Sequence, residues 1–224
     1  MSVSEDRTVQ PSPTTAAPAS GIADPAPLGL AAFALTTFLL SAKNADWMSH
    51  ATGSAWLGFA FAYGGLGQLL AGMWEFRNRN VFGATAFATY GGFWIGLGLW
   101  VQLVVNPAVA AARPATLAAT VSGLNHDLGW ILLAFAIFNT YMLILSAQVN
   151  IAVFGVFLTL EITEIILCIG NFTAGAALNP TTTIKIGGYV GLITALVAWY
   201  ASAAGVSNGI AGKLRFPVGR PLLS

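Results

Sequence analysis

The sequence predicts an all-α membrane protein with six transmembrane helices per protomer, on three observations. The chain is 56% hydrophobic and only 8% charged, whereas a soluble domain carries about 25% charged residues. Its apolar residues gather into six stretches, each near the roughly 20 residues that cross a hydrocarbon core. Proline, asparagine and charged residues concentrate between those stretches. A closed barrel would instead show alternating segments of about 10 residues, and helices satisfy their own backbone groups in lipid.

The stretches run 28–43, 53–74, 83–105, 128–147, 151–170 and 186–208. Pro25 and Pro27 open the first, and a proline is tolerated in a first helical turn because its missing N–H is not needed there. The breaks fall at Lys43–Asp46, Glu75–Asn80, Asn106–Pro114 and Asn179–Pro180. The short joint near Gln148–Asn150 makes the fourth and fifth helices antiparallel neighbours. Small residues recur at packing spacing: Gly64, Gln68 and Gly72 in the second helix, and Gly187, Gly188, Gly191 and Ala195 in the sixth. Small side chains at that spacing let helix backbones approach closely.

Residues 1–23 are rich in Pro, Ala, Ser and Thr and lack the apolar centre of a signal peptide. They read as a disordered cytoplasmic tail that buries too little surface to order. Residues 24–210 form the six-helix domain, and 211–224 a short cytoplasmic tail. Six of the nine basic residues fall on the side of the termini, which predicts both termini inside the cell membrane. The net charge of +1 gives no footprint for nucleic acid.

Polar groups within the apolar stretches are the candidates for function, because such groups are costly in a membrane. Glu161 and Glu164 lie mid-way along the fifth helix, and the i, i+3 spacing puts them on one face. They suit either a proton-carrying or gating pair beside a water-filled path, or hydrogen bonds to another helix or subunit. Gln68, Tyr90, Asn139 and Asn171 are neutral polar residues inside or at the ends of helices, more suited to helix–helix hydrogen bonds. His50 and His126 read as loop histidines without partners at metal-ligand spacing. The single Cys168 sits in an apolar run and reads as a buried, inert thiol. The seven tryptophans mostly fall near helix ends, as an interfacial belt would. No phosphate loop, Ser/His/Asp set or paired-cysteine motif is present, so no enzyme, cofactor or metal is expected.

Two blocks carry a resemblance. Asp24-Pro25-Ala26-Pro27-Leu28-Gly29-Leu30 resembles the Asn-Pro-Ala-Pro-Leu-Gly-Leu signature of the acetate uptake transporter family, the succinate–acetate permeases. Ala62–Trp94 resembles that family's longer block almost residue for residue. Ile169-Gly170-Asn171 and the Gly188–Leu192 segment extend the similarity over about residues 24–219. The resemblance implies a homo-hexamer of six-helix protomers in the bilayer. Each protomer would pass acetate, and in some members succinate or other short monocarboxylates. It further implies a constriction of Phe33, Tyr90 and Leu160, with Asp24 and Gln68 along the path.

Three departures stand out. The signature's asparagine is Asp24, which suits a helix cap better than a carboxylate entrance. Asn139 stands where the family has threonine. Glu161 and Glu164 stand where it is apolar or hydroxylic. Glu164 lies about 40° from Leu160 around the helix, so both should share the path-facing side. The expected function is passage of acetate and related carboxylates, channel-like or proton-coupled. The alternatives are transport of another small solute such as ammonia, or a sensor of the same fold.

Overall fold

The computed structural model describes residues 21–49 and 54–223, and these are helical almost throughout. Helix α1 spans Ala26–Asn44. Next come α2 (Ala55–Phe61) and α3 (Gln68–Arg77), joined without a break by a π-helical turn, Ala62–Gly67. Helix α4 (Val81–Trp100) passes through a second π turn, Val101–Val105, into α5 (Asn106–Ala111). Helices α6 (Pro114–Ser146), α7 (Ile151–Thr173) and α8 (Thr182–Ala211) complete the bundle. Six helical stretches therefore match the six expected, and five are long and apolar enough to cross a membrane. The stretch with the first π turn is the sixth.

Local chemistry explains most boundaries. Pro27 sits in the first turn of α1. The Asn80 side chain accepts the Gly83 N–H at 3.1 Å and starts α4. Asn150 accepts from Val153 at 2.9 Å and starts α7. Gly212 ends α8 in the left-handed conformation, φ 59°, a position that glycine takes without strain.

The largest departure is at residues 106–127, expected as a connection and found mostly helical. Alanine is the strongest helix former, and Ala-rich runs flank Arg113–Pro114. Pro114 opens α6, and the Arg113 N–H bonds the Thr116 hydroxyl at 3.1 Å. Helix α6 thus has 33 residues. His126 consequently lies on α6 rather than in a loop, edge-on to Trp130 and Phe172. His50 lies outside the described residues. Glu75, placed by sequence in a connection, is fully buried within α3.

Helix α1 packs most extensively on α8, α7 on α8 and on α6, and α3 on α4. Small residues make the last contact possible. A Cβ on Gly72 would stand 2.6 Å from the Ala88 nitrogen, and one on Gly91 2.7 Å from the Leu69 nitrogen. Large apolar side chains such as Leu103, Ile137, Ile144 and Leu196 cover the outside, the surface that lipid solvates. The segment after α8 turns back over the helix ends. Leu222 N–H bonds Ala147 O at 2.7 Å, and Ala152 N–H bonds Val218 O at 2.9 Å.

Candidate functional site: two vestibules and a plug

Three helices run parallel and carry the same three-step pattern at one-turn intervals. On α1 it is Leu30, Phe33 and Thr37; on α4, Ala86, Tyr90 and Trp94; on α7, Phe157, Leu160 and Glu164. The first of each triplet lines a cavity of about 300 Å³ on the side of the described termini. The last lines a cavity of about 230 Å³ on the far side. The middle residues are buried together in one apolar cluster. The Phe33 and Tyr90 rings meet edge-to-face with centroids 5.7 Å apart. Phe93, Phe135 and Phe138 surround Tyr90 on its other sides. The result is two vestibules facing each other across an apolar plug about one helical turn thick.

A polar network abuts the plug. Asn139 of α6 is fully buried, and its amide group donates to Phe157 O at 3.0 Å and to Glu161 Oε2 at 2.7 Å. Those two acceptors fix the orientation of the amide, so its oxygen faces Tyr90. The Tyr90 hydroxyl donates to that oxygen at 2.9 Å. A phenol has a single proton to give. The remaining 3.3 Å contact between Tyr90 and Glu164 Oε1 is therefore a hydrogen bond when Glu164 supplies the proton. Glu164 is 4% exposed, and its other oxygen has no protein partner. Glu161 sits at the edge of the α6–α7 seam and also accepts from Thr140 Oγ1 at 2.8 Å.

The other candidates lie at separate levels. Asp24 lines the termini-side vestibule and accepts the Ala26 N–H at 3.0 Å, at the entry to α1. Asn171 lines the far-side vestibule while its amide donates to Leu167 O at 2.8 Å. Gln68 is buried where the π turn meets α3 and lines neither cavity. Cys168 is buried against α6.

Several groups were not legible as site residues. Trp56 and Trp94, expected in an interfacial belt, are 2% and 3% exposed and line the far-side vestibule. Lys43 lines it too, with its ammonium 5.9 Å over the Trp56 ring. The belt expectation holds better for Trp47, Trp74 and Trp130, which are exposed. Glu75 is buried beneath Gly83, where a Cβ would stand 2.8 Å from its carboxyl oxygen.

Comparison with known proteins places this geometry. The model of the GPR1/FUN34/yaaH family matches residues 6–219. Acetate permease A of Emericella nidulans is 39% identical over 88% of this chain and 65% of its own length. Ammonia transport outward protein 2 of Saccharomyces cerevisiae is 36% identical over 86% of this chain and 64% of its own. The chain thus spans slightly under two thirds of these fungal relatives. The succinate-acetate/proton symporter SatP of Escherichia coli K12 is 32% identical over 88% of this chain and 96% of its own. The solved structure of the bacterial acetate channel SatP superposes with a TM-score of 0.72 at 31% identity, covering 88% of this chain and 99% of that one. The chain belongs to the GPR1/FUN34/yaaH family, whose matched members carry names for acetate, succinate and ammonia transport, and is a multi-pass membrane protein rather than an enzyme.

Proposed function

We propose that this protein carries acetate and related short carboxylates, succinate among the candidates, along a path within each protomer, with Glu164 and Glu161 handling the proton that accompanies the anion. The observation that carries this reading is the one-turn register on α1, α4 and α7. It aligns two vestibules on a single apolar plug, with a buried carboxyl group beside it. Phe33, Tyr90 and Leu160 strip water from the solute and reject bulky or strongly hydrated ions. Polar groups on either side, including Asp24 and Asn171, hold it weakly enough to release it, while Asn139 supports the path by anchoring Tyr90 and Glu161 at the plug. Gln68 supports the path from within the bundle. A carboxylate that takes a proton crosses such a plug as the neutral acid, which removes most of the desolvation cost.

In this reading the protomers form a homo-hexamer in the cell membrane. The termini lie in the cytoplasm, with Arg77, Arg79, Lys213, Arg215 and Arg220 on that side. Residues 24–210 are the transport domain, flanked by tails 1–23 and 211–224. The test is uptake of labelled acetate into liposomes carrying the purified protein. Saturable uptake above empty vesicles, increased by an inward proton gradient, is the expected result. Uptake no greater than in empty vesicles at any pH sinks the reading.

A second reading is movement of ammonia, which the relative named for ammonia transport favours. Competition separates the two. Unlabelled propionate or succinate should depress acetate uptake, and ammonium at the same ionic strength should leave it unchanged.

A further inference from the structure

Helix α8 is longer than a bilayer crossing needs, and the chain after it comes back. Its 30 residues span about 45 Å at 1.5 Å each, against about 30 Å of hydrocarbon core. Ser202 and Gly205 already stand level with Pro27 at the start of α1. The Ser202 hydroxyl donates to Pro27 O at 2.7 Å, and a Cβ on Gly205 would stand 2.8 Å from the Pro27 ring. The last turns of α8 therefore project past the start of α1. After Gly212 the chain reverses along them. The Asn208 side chain accepts the N–H groups of Arg215 and Phe216 at 2.7 and 3.0 Å and donates to Phe216 O at 3.0 Å. The Tyr200 hydroxyl donates to Pro217 O at 2.6 Å. The segment then crosses to the joint between α6 and α7, where Ala152 N–H bonds Val218 O and the N–H groups of Leu222 and Leu223 bond Ala147 O. Gly219, at φ 77°, passes so close over Ile151 that a Cβ would stand 2.6 Å from it.

This segment faces two ways. Val218 is half-buried, lines the termini-side vestibule beside Asn208, and packs against the apolar cluster of the plug. Leu214, Phe216, Leu222 and Leu223 are exposed, and so are Lys213, Arg215 and Arg220. Among the described residues none of these three cations has an acidic partner, and residues 211–224 include no Asp or Glu. The anchors give the depth. Ala147 and Ala152 flank the joint where α6 leaves the hydrocarbon core and α7 enters it, so a segment bonded to both lies at the headgroup level. Large apolar side chains and cations together suit neither bulk water nor hydrocarbon. A lipid interface, with acyl chains on one side and phosphates on the other, takes both. A second copy of the chain suits the segment less. Among the described acidic residues on this side, Glu75 is buried and Asp24 lies in the vestibule.

We propose that residues 213–223 form a strap that binds anionic phospholipid headgroups and so holds Val218 in the wall of the termini-side vestibule. Lipid phosphates neutralise Lys213, Arg215 and Arg220 from outside, while Val218 closes the wall from inside. The bound lipid thus sets the width of that mouth. A membrane poor in anionic lipid frees the strap, and Val218 leaves the vestibule with it. This inference goes beyond the transport reading and does not depend on which solute uses the path.

The test uses the purified full-length protein in two forms, Leu223→Cys and Val218→Cys, each with Cys168→Ala. Both are reconstituted into vesicles of phosphatidylcholine, alone or mixed with phosphatidylglycerol. Both leaflets carry the same lipid, so orientation does not enter. A nitroxide at position 223 reports strap mobility by electron paramagnetic resonance. The rate at which position 218 reacts with membrane-permeant N-ethylmaleimide reports whether the strap has lifted. Phosphatidylglycerol should immobilise the label and slow the thiol reaction, and high salt should weaken both effects. Lys213→Gln, Arg215→Gln or Arg220→Gln alone should weaken the lipid response about fivefold, and the triple change should abolish it. Arg215→Lys with Arg220→Lys keeps the charge and should keep the response. The inference is overturned if label and thiol are indifferent to phosphatidylglycerol, or if their response survives the triple change. It is equally overturned if the label is immobilised alike in both lipids, the result expected of contact with a second copy. Neither readout requires transport. Absence of acetate uptake by liposomes sinks the carboxylate reading and leaves the strap standing.

Discussion

The Tyr90 hydroxyl donates to the Asn139 amide oxygen across 2.9 Å, at the level of the apolar plug. This bond joins α4 to α6, which also meet through the rings of Tyr90 and Phe93 against Phe135 and Phe138. It also uses the only proton that Tyr90 has, which leaves Glu164 to supply its own. The plug and the acidic pair are thereby one structural unit, and the following outcomes depend on it.

Asn139→Leu removes the acceptor of the buried Tyr90 hydroxyl and one of the two donors to the half-buried Glu161, which keeps Thr140. Stranding buried polar groups costs about 1–3 kcal/mol each. The thermal midpoint of the detergent-solubilised protein should fall by several degrees. Asn139→Thr retains a polar group there and should fall less.

Tyr90→Phe keeps the ring against Phe33 and deletes the hydroxyl. The plug stays closed, so leak of larger monocarboxylates should not rise. The contact with Glu164 is lost, so the dependence of uptake on a proton gradient should weaken. Equal dependence in variant and wild type would detach Tyr90 from coupling.

Glu164→Gln retains shape and hydrogen bonding and cannot release a proton. In liposomes, lowering the external pH should drive acetate accumulation in the wild type and not in the variant. Downhill flux should persist in both. Unchanged accumulation removes Glu164 from the mechanism.

Leu160→Ala and Phe33→Ala shorten the plug. Each should reduce the preference for acetate over a larger monocarboxylate in competition uptake. Retained selectivity in both variants would move the discriminating step away from these residues.

Gly91→Ala and Gly92→Ala make a matched pair on adjacent residues. The Cβ at 91 meets the Leu69 backbone at 2.7 Å, whereas the one at 92 meets nothing within 4 Å. The first should cost about 1–3 kcal/mol through overpacking. The second should be neutral or slightly stabilising, since alanine exceeds glycine by up to about 1 kcal/mol in a helix. Thermal unfolding of the two variants checks the contrast.

Sequence and structure differ most where local signals compete. Hydropathy located all six helical stretches, five of them long and apolar enough to cross a membrane, because lipid demands long apolar runs whatever the fold. It began the fourth stretch too late, at 128 where α6 starts at Pro114. The Ala-rich residues around Pro114 are only moderately apolar yet strongly helical, and the proline starts a helix rather than a loop. The tryptophans show the opposite problem. Position near a helix end suggested the lipid interface for most of them, but Trp56 and Trp94 turn inward. Direction around a helix depends on which neighbour lies beside it, and single-helix patterns do not contain that information.

Taken alone, the sequence determined the class, the approximate spans, the antiparallel joint between α6 and α7, and the family resemblance. These follow from composition, spacing and short motifs, all local along the chain. It also singled out Phe33, Tyr90, Leu160, Glu161 and Glu164 as residues to examine. Only the tertiary structure decided that Leu30–Phe33–Thr37, Ala86–Tyr90–Trp94 and Phe157–Leu160–Glu164 share one register, and that Asn139 links Tyr90 to Glu161. The physical reason is that register and hydrogen-bond partners across helices are set by close packing, here by glycines such as Gly72 and Gly91 that bring backbones together. Packing joins residues far apart in the chain, and no local pattern specifies which of them will meet.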